Sequence, residues 1–191
     1  MTRLFSGALL VASLLAGGCS PRTTEPAAAS PVSAAPPVSA TNQTLTVYDR
    51  DLPLVPNPKL PILRLFVGAN ELKTELALTE LQIRTGMMFR TNIVEDEAML
   101  FVFPNAHQVG FWMKNVSIPL SCAYIDPEGV ILELHDMEPQ EVRPIQSASD
   151  RVQYVLETRR GWFERHGIKP GVLIRTERGT LRETFFQPRS R

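Results

Sequence analysis

The apolar residues of this 191-residue chain come in short runs, and that narrows the possible folds more than any other feature. Between Pro61 and Thr176 the runs are Ile62–Val67, Leu72–Leu78, Met99–Phe103, Phe111–Lys114, Pro119–Ile125, Val130–His135, Val152–Glu157 and Val172–Arg175. Each is too short for a typical helix and is set off by Gly, Pro, Asn or Asp, so each reads as a strand. Met99–Phe103 is apolar throughout and stops at Pro104, which predicts a strand buried on both faces. Two brief helices interrupt the series. Thr79 and Gln82 are placed as a capping box, Leu78 and Ile83 as a hydrophobic staple, and Gly86 as a stop. Trp162–His166 reads as a single turn closed by Gly167. Asp126-Pro127-Glu128-Gly129 has the preferences of a type I turn and predicts an antiparallel hairpin. The expected fold is therefore mainly β, an antiparallel β-sandwich or barrel with two short helices.

The N-terminal third follows different rules. Arg3 precedes an apolar segment, Leu4–Leu15, which ends in Ala16-Gly17-Gly18-Cys19. A positive charge, a short apolar core and small residues make an export signal rather than a membrane span. The AGGC box resembles the processing site of bacterial lipoproteins, which implies lipid on Cys19, and Ser20 resembles the residue that sends such proteins to the outer membrane. Residues 20–60, rich in Ala, Pro, Ser and Thr at their start, read as a flexible tether. The chain thus divides into a signal peptide (1–19), the tether, one β-domain (61–176) and a basic, frayed tail (177–191). It is expected on the periplasmic side of the envelope, held to a membrane by its lipid. Twenty Lys and Arg balance twenty Asp and Glu, which removes the electrostatic basis for a nucleic-acid partner.

Chemistry-bearing residues are scattered. With Cys19 lipidated, Cys122 has no disulfide partner, and its alternation with Leu120 and Tyr124 marks a small buried hydrophobe. Glu133 and His135 share a strand face, but two ligands fall short of a metal site, and neither metal nor other cofactor is expected. Met87, Met88, Met99, Met113 and Met137 sit among Phe, Leu and Val, as core residues do. No serine elbow accompanies His107, His135 or His166. The most distinctive stretch is Phe111-Trp112-Met113-Lys114-Asn115. Strand alternation would bury Phe111 and Met113 and present Trp112 and Lys114. Arg90, Asp96, Trp112, Lys114 and Asn115 are the candidate ligand-binding residues.

Five phrases, TGMMFR (85–90), DEAMLFVF (96–103), FWMKN (111–115), IPLSCAYID (118–126) and YVLETRRGWFERHGIKPG (154–171), resemble the domain-of-unknown-function 192 family. The resemblance implies a compact, often exported β-sandwich of jelly-roll character with no established activity. Two positions depart from the family pattern: Ser121 stands where Asp is usual, and Ala98 where Gly is usual. The expected function is binding of a small molecule or envelope protein through Trp112, Lys114 and Asn115. The alternatives are a hydrolase or lyase using Lys114 with a carboxylate such as Asp96, and a purely structural envelope module.

Overall fold

The structure, a computed structural model, describes residues 52–187. The export signal, Cys19, most of the tether and the last four residues lie outside them. Ten strands and three helices are present among the described residues. In chain order they are β1 (Ile62–Val67), β2 (Asn70–Ala77), α1 (Glu80–Thr85), β3 (Glu97–His107), β4 (Gly110–Phe111), β5 (Leu120–Ile125), β6 (Ile131–Met137), β7 (Ile145–Gln146), β8 (Val152–Arg159), α2 (Trp162–Arg165), β9 (Ile174–Thr176), β10 (Gly179–Thr180) and α3 (Leu181–Phe185). Eight strands form one sheet in the order β10-β9-β1-β2-β3-β8-β5-β6, while β4 and β7 make a separate ribbon.

The mainly β, sandwich-like expectation holds, but a wholly antiparallel one does not. Strand β2 pairs with β3 in parallel, Lys73 opposite Glu97 and Leu76 opposite Leu100. A parallel neighbour requires a crossover, and α1 is that crossover. Its start is fixed by the capping box: Thr79 Oγ1 accepts from Gln82 N at 3.3 Å and Gln82 Oε1 accepts from Thr79 N at 3.0 Å. Gly86 ends it at φ 46°. Nor does the sheet close into a barrel. It curls until residues 129–131 hydrogen-bond to residues 171–174, drawing opposite margins together at one corner.

The central strands β3, β8 and β5 are buried on both sides, which divides the core in two. Leu63, Leu65, Leu100, Ala123, Tyr154 and Leu156 pack beneath α2 and α3. Met99, Phe101, Leu120, Cys122, Tyr124 and Val155 face the other way, beneath α1, the ribbon and a layer of loops. Met87, Met88, Met99, Met113 and Met137 are all in this second core, as their apolar neighbours predicted. The hairpin turn is also as expected, with Gly129 N donating to Asp126 O at 3.0 Å.

Three expectations need correction. The tether is too long as drawn: Leu60 is buried, and Asn57 Nδ2 donates to Gln82 O and Gly86 O at 3.0 and 3.1 Å. The tail is not frayed through to 187. Thr180 and Glu183 form a second capping box, α3 follows, and Leu181 is fully buried. Residues 137–150, which hold none of the apolar runs expected to be strands, contain β7, whose Ile145 pairs with Phe111.

Candidate functional site

The second core is incomplete. A cavity of about 300 Å³ lies between the sheet, the end of α1 and the turn from β3 into β4. Phe101 and Phe103 from β3, Phe111 from β4, Met87 and Met88 after α1, and Trp112 supply most of its wall. Phe101 and Phe111 meet edge to face at 4.9 Å, an arrangement favoured by the ring quadrupoles. Arg84, His107 and Gln108 also contribute lining atoms.

One acidic residue lines this largely apolar space. Glu157 sits in the middle of β8, opposite Met99 on β3 and Cys122 on β5. Opposed residues project to the same side of a sheet, so the carboxyl enters the second core between a thioether and a thiol. It is 4% exposed, and its Oε2 has no hydrogen-bond partner. Burial alone pushes its pKa up to about 8, because a carboxylate there has lost its water without gaining a donor. At neutral pH most of the group is a neutral acid. Burial likewise holds the Cys122 thiol far above its ordinary ionisation, so it is not a ready nucleophile.

The wall beside Trp112 is built from unusual backbone. Phe89, Asn115 and Gln140 have φ of 64°, 60° and 63°, left-handed values that side chains disfavour. These residues sit in three loops stitched directly together. Phe89 N donates to Asn115 O at 2.9 Å, Gln140 N to Val116 O at 3.0 Å, and Met113 N to Glu141 O at 2.8 Å. Only the surrounding structure can hold three such residues in place, and strain of this kind gathers at functional sites.

The five candidates from the sequence are not one cluster. Trp112 lines the cavity, half exposed, with Lys114 Nζ 5.7 Å from its ring centroid. Asn115 shapes the loop, its Nδ2 lying 4.0 Å from the Met88 sulfur. Arg90 is directed to Glu75 at 2.7 Å, and Asp96 to Lys73 at 2.9 Å; neither lines the cavity. Phe111–Lys114 is not a strand beyond Phe111, although Met113 is buried and Trp112 and Lys114 are half exposed as the alternation implied. Phe111, expected in the core, is only half buried. Glu133 and His135 join at 3.1 Å, and Glu133 also accepts from Ala148 N at 2.9 Å, a structural use of the pair.

Glu157 was missed by reading the sequence for clusters. Its signal is an acid inside YVLET, on the same face as Val155 in a strand apolar on both sides. Ser121, the departure from Asp, projects to the opposite face. Its hydroxyl accepts from Gly161 N at 2.8 Å and donates to Asp136 on the neighbouring strand. A carboxylate is thus kept beside this position, supplied from β6.

A family model covering residues 64–176, more than half of the chain, matches this sequence. The chain belongs to the DUF192 family. That family is described as an uncharacterized ACR. A solved structure from Sinorhizobium meliloti, described provisionally as a transcription regulator, is 33% identical. The match covers 60% of this chain and 92% of that one, with a TM-score of 0.56. A protein of unknown function from Novosphingobium aromaticivorans is 29% identical over 63% of this chain and 90% of its own, with a TM-score of 0.59. No curated protein matches.

Proposed function

We propose that this DUF192 domain binds a small, largely apolar ligand in the cavity beside Trp112, on the periplasmic side of a bacterial envelope. The observation that carries the reading is Glu157, a buried carboxyl with an unpartnered oxygen in a cavity walled by four aromatic rings. A polar group that gains nothing for folding costs about 1–3 kcal/mol to bury, and such costs are tolerated where a ligand removes them. The cavity volume lies at the small end of ligand pockets, about 300–1,000 Å³. The site is an extension of the Trp112–Lys114–Asn115 surface rather than a replacement for it: Trp112 is common to both. Location rests on the export signal and the AGGC box, which support a lipid-held protein with no nucleic-acid partner. The Lys114–Asp96 hydrolase or lyase reading has lost its carboxylate to Lys73. A catalytic reading is better served by Glu157, whose pKa near neutrality suits a general acid.

The test is cavity occupancy. Indole, toluene, 2-phenylethanol and 2-phenylethylamine are titrated against the purified full-length protein, following the melting temperature and tryptophan emission. Trp162 is buried in the other core, so an emission change on binding of the three phenyl compounds reports Trp112, and indole is followed by melting temperature alone. At least one compound raises the melting temperature. Val116→Phe, which fills the cavity from its wall, abolishes the effect. If no compound acts, or all act equally on the filled variant, the cavity is not a binding site.

A further inference from the structure

We infer that the ligand is a primary or secondary ammonium carried on a compact apolar body, its N–H groups donated to Glu157 and its body against the aromatic wall. This rests on the cavity being the binding site and adds the chemical class of what enters it.

The argument begins with what Glu157 lacks. Its Oε2 accepts no hydrogen bond from any described residue, and cross-strand neighbours Met99 and Cys122 bring no charge to balance it. What the site lacks, if the carboxyl is to be charged there, is a donor, and a cationic one replaces the water that burial removed. A ligand carboxylate is the wrong complement for an ionised Glu157, since two carboxylates sharing a site repel and one of them is held protonated. The aromatic part of the wall carries the same preference, against the one guanidinium, Arg84, at the α1 side. Faces of Phe and Trp rings attract cations and repel carbonyl or carboxylate oxygen. Phe101, Phe103, Phe111 and Trp112 bring four such rings to one small space, together with the polarisable sulfurs of Met87 and Met88. A quaternary ammonium would satisfy the rings but leave Oε2 without a donor. An N–H-bearing ammonium satisfies both.

Protons follow. When an ammonium binds below the native ionisation point of Glu157, the carboxyl O–H breaks, its proton goes to buffer, and the ligand keeps its own. Cys122 on β5 stays a neutral thiol, held so by burial. Arg84 from α1 and His107 from the end of β3 are the other ionisable groups lining the cavity.

The experiment compares three probes of one shape, 2-phenylethylamine, 2-phenylethanol and 3-phenylpropanoate, by calorimetry on the full-length protein. Titrations run at pH 6, 7 and 8 in buffers of differing ionisation enthalpy. The amine binds at least about tenfold tighter than the alcohol at pH 8, corresponding to one ion pair's advantage. At pH 6 it releases close to one proton, and its affinity rises by up to about tenfold per pH unit toward pH 8. Glu157→Gln brings the amine-to-alcohol affinity ratio close to one and abolishes the proton release. If the alcohol or the carboxylate binds as tightly as the amine, without proton release, the ammonium inference is overturned while the binding cavity stands. If none of the three binds to wild type while toluene does, the ammonium inference falls and the cavity stands; if toluene also fails, both fall together.

Discussion

Replacing Glu157 with Gln should make the domain more stable at alkaline pH and almost no different at acidic pH. In the unfolded chain this carboxyl ionises at 4.5, and in the native fold at about 8. Between those values the native state holds a proton that the unfolded state has released, so stability falls as pH rises. Below 4.5 both states are protonated and the contribution is complete; above 8 it is lost. Each pH unit in the window carries about 1.4 kcal/mol, so the whole span approaches about 5 kcal/mol. Water entering the adjacent cavity lowers this, and about 3–5 kcal/mol is the expected range. That is a large part of the total stability of a small domain, about 5–15 kcal/mol. Gln has nearly the same shape and no charge to lose. Urea unfolding of both proteins at pH 5, 6, 7, 8 and 9 gives two stability curves, and other titrating groups cancel in their difference. That difference should grow in favour of Glu157→Gln from pH 5 to pH 8 and then level off. Parallel curves would show that Glu157 ionises natively as it does unfolded, and the account of its burial would be wrong.

Met113, 1% exposed in the second core, should cost about 2–5 kcal/mol when truncated to Ala, whereas half-exposed Lys114→Ala should cost under about 1 kcal/mol in the same thermal melt. Leu181→Ala should cost about 2–5 kcal/mol by urea unfolding, because α3 seals the first core; a loss under about 0.5 kcal/mol would return the C-terminal segment to the status of a tail. Cys19→Ala should move the protein from the membrane fraction to soluble extract on fractionation, and unchanged membrane retention and mobility would end the lipid proposal.

Elements whose signals are local were legible. Strand β1 falls where its alternation puts it, the capping box opens α1 at Thr79, and Gly167 at φ 64° closes α2 with Ile168 N bonded back to Phe163 O. The same capping pattern, Thr180 and Glu183, was present in the tail but was obscured by its Arg-rich composition. What stayed hidden depends on distant contacts. The parallel β2–β3 pairing needs the crossover to be seen as a unit, not as a helix between two strands. Phe111–Lys114 alternates like a strand, yet only its first residue finds a partner, on β7, beyond which bonds from Met113 and Val116 to the 138–141 loop take over. Glu157 was the costliest omission for function. An acid at the end of an apolar run reads as the strand's exit to solvent, and only the positions of β3, β5 and the cavity show that it points inward.

The two hydrogen bonds from Asn57 give the start of the domain a mechanical role. Asn57 grips the carbonyls of Gln82 and Gly86, and Gly86 with Met87 belongs to the cavity wall. A pull arriving along the backbone from the N-terminal side of Asn57 meets this pair of bonds before it can load the paired edge of β1. The first thing to yield would be the end of α1, not the sheet. Tension on the chain and the aperture of the cavity would then share one latch. A bound ligand bracing that wall would raise the force needed to open it.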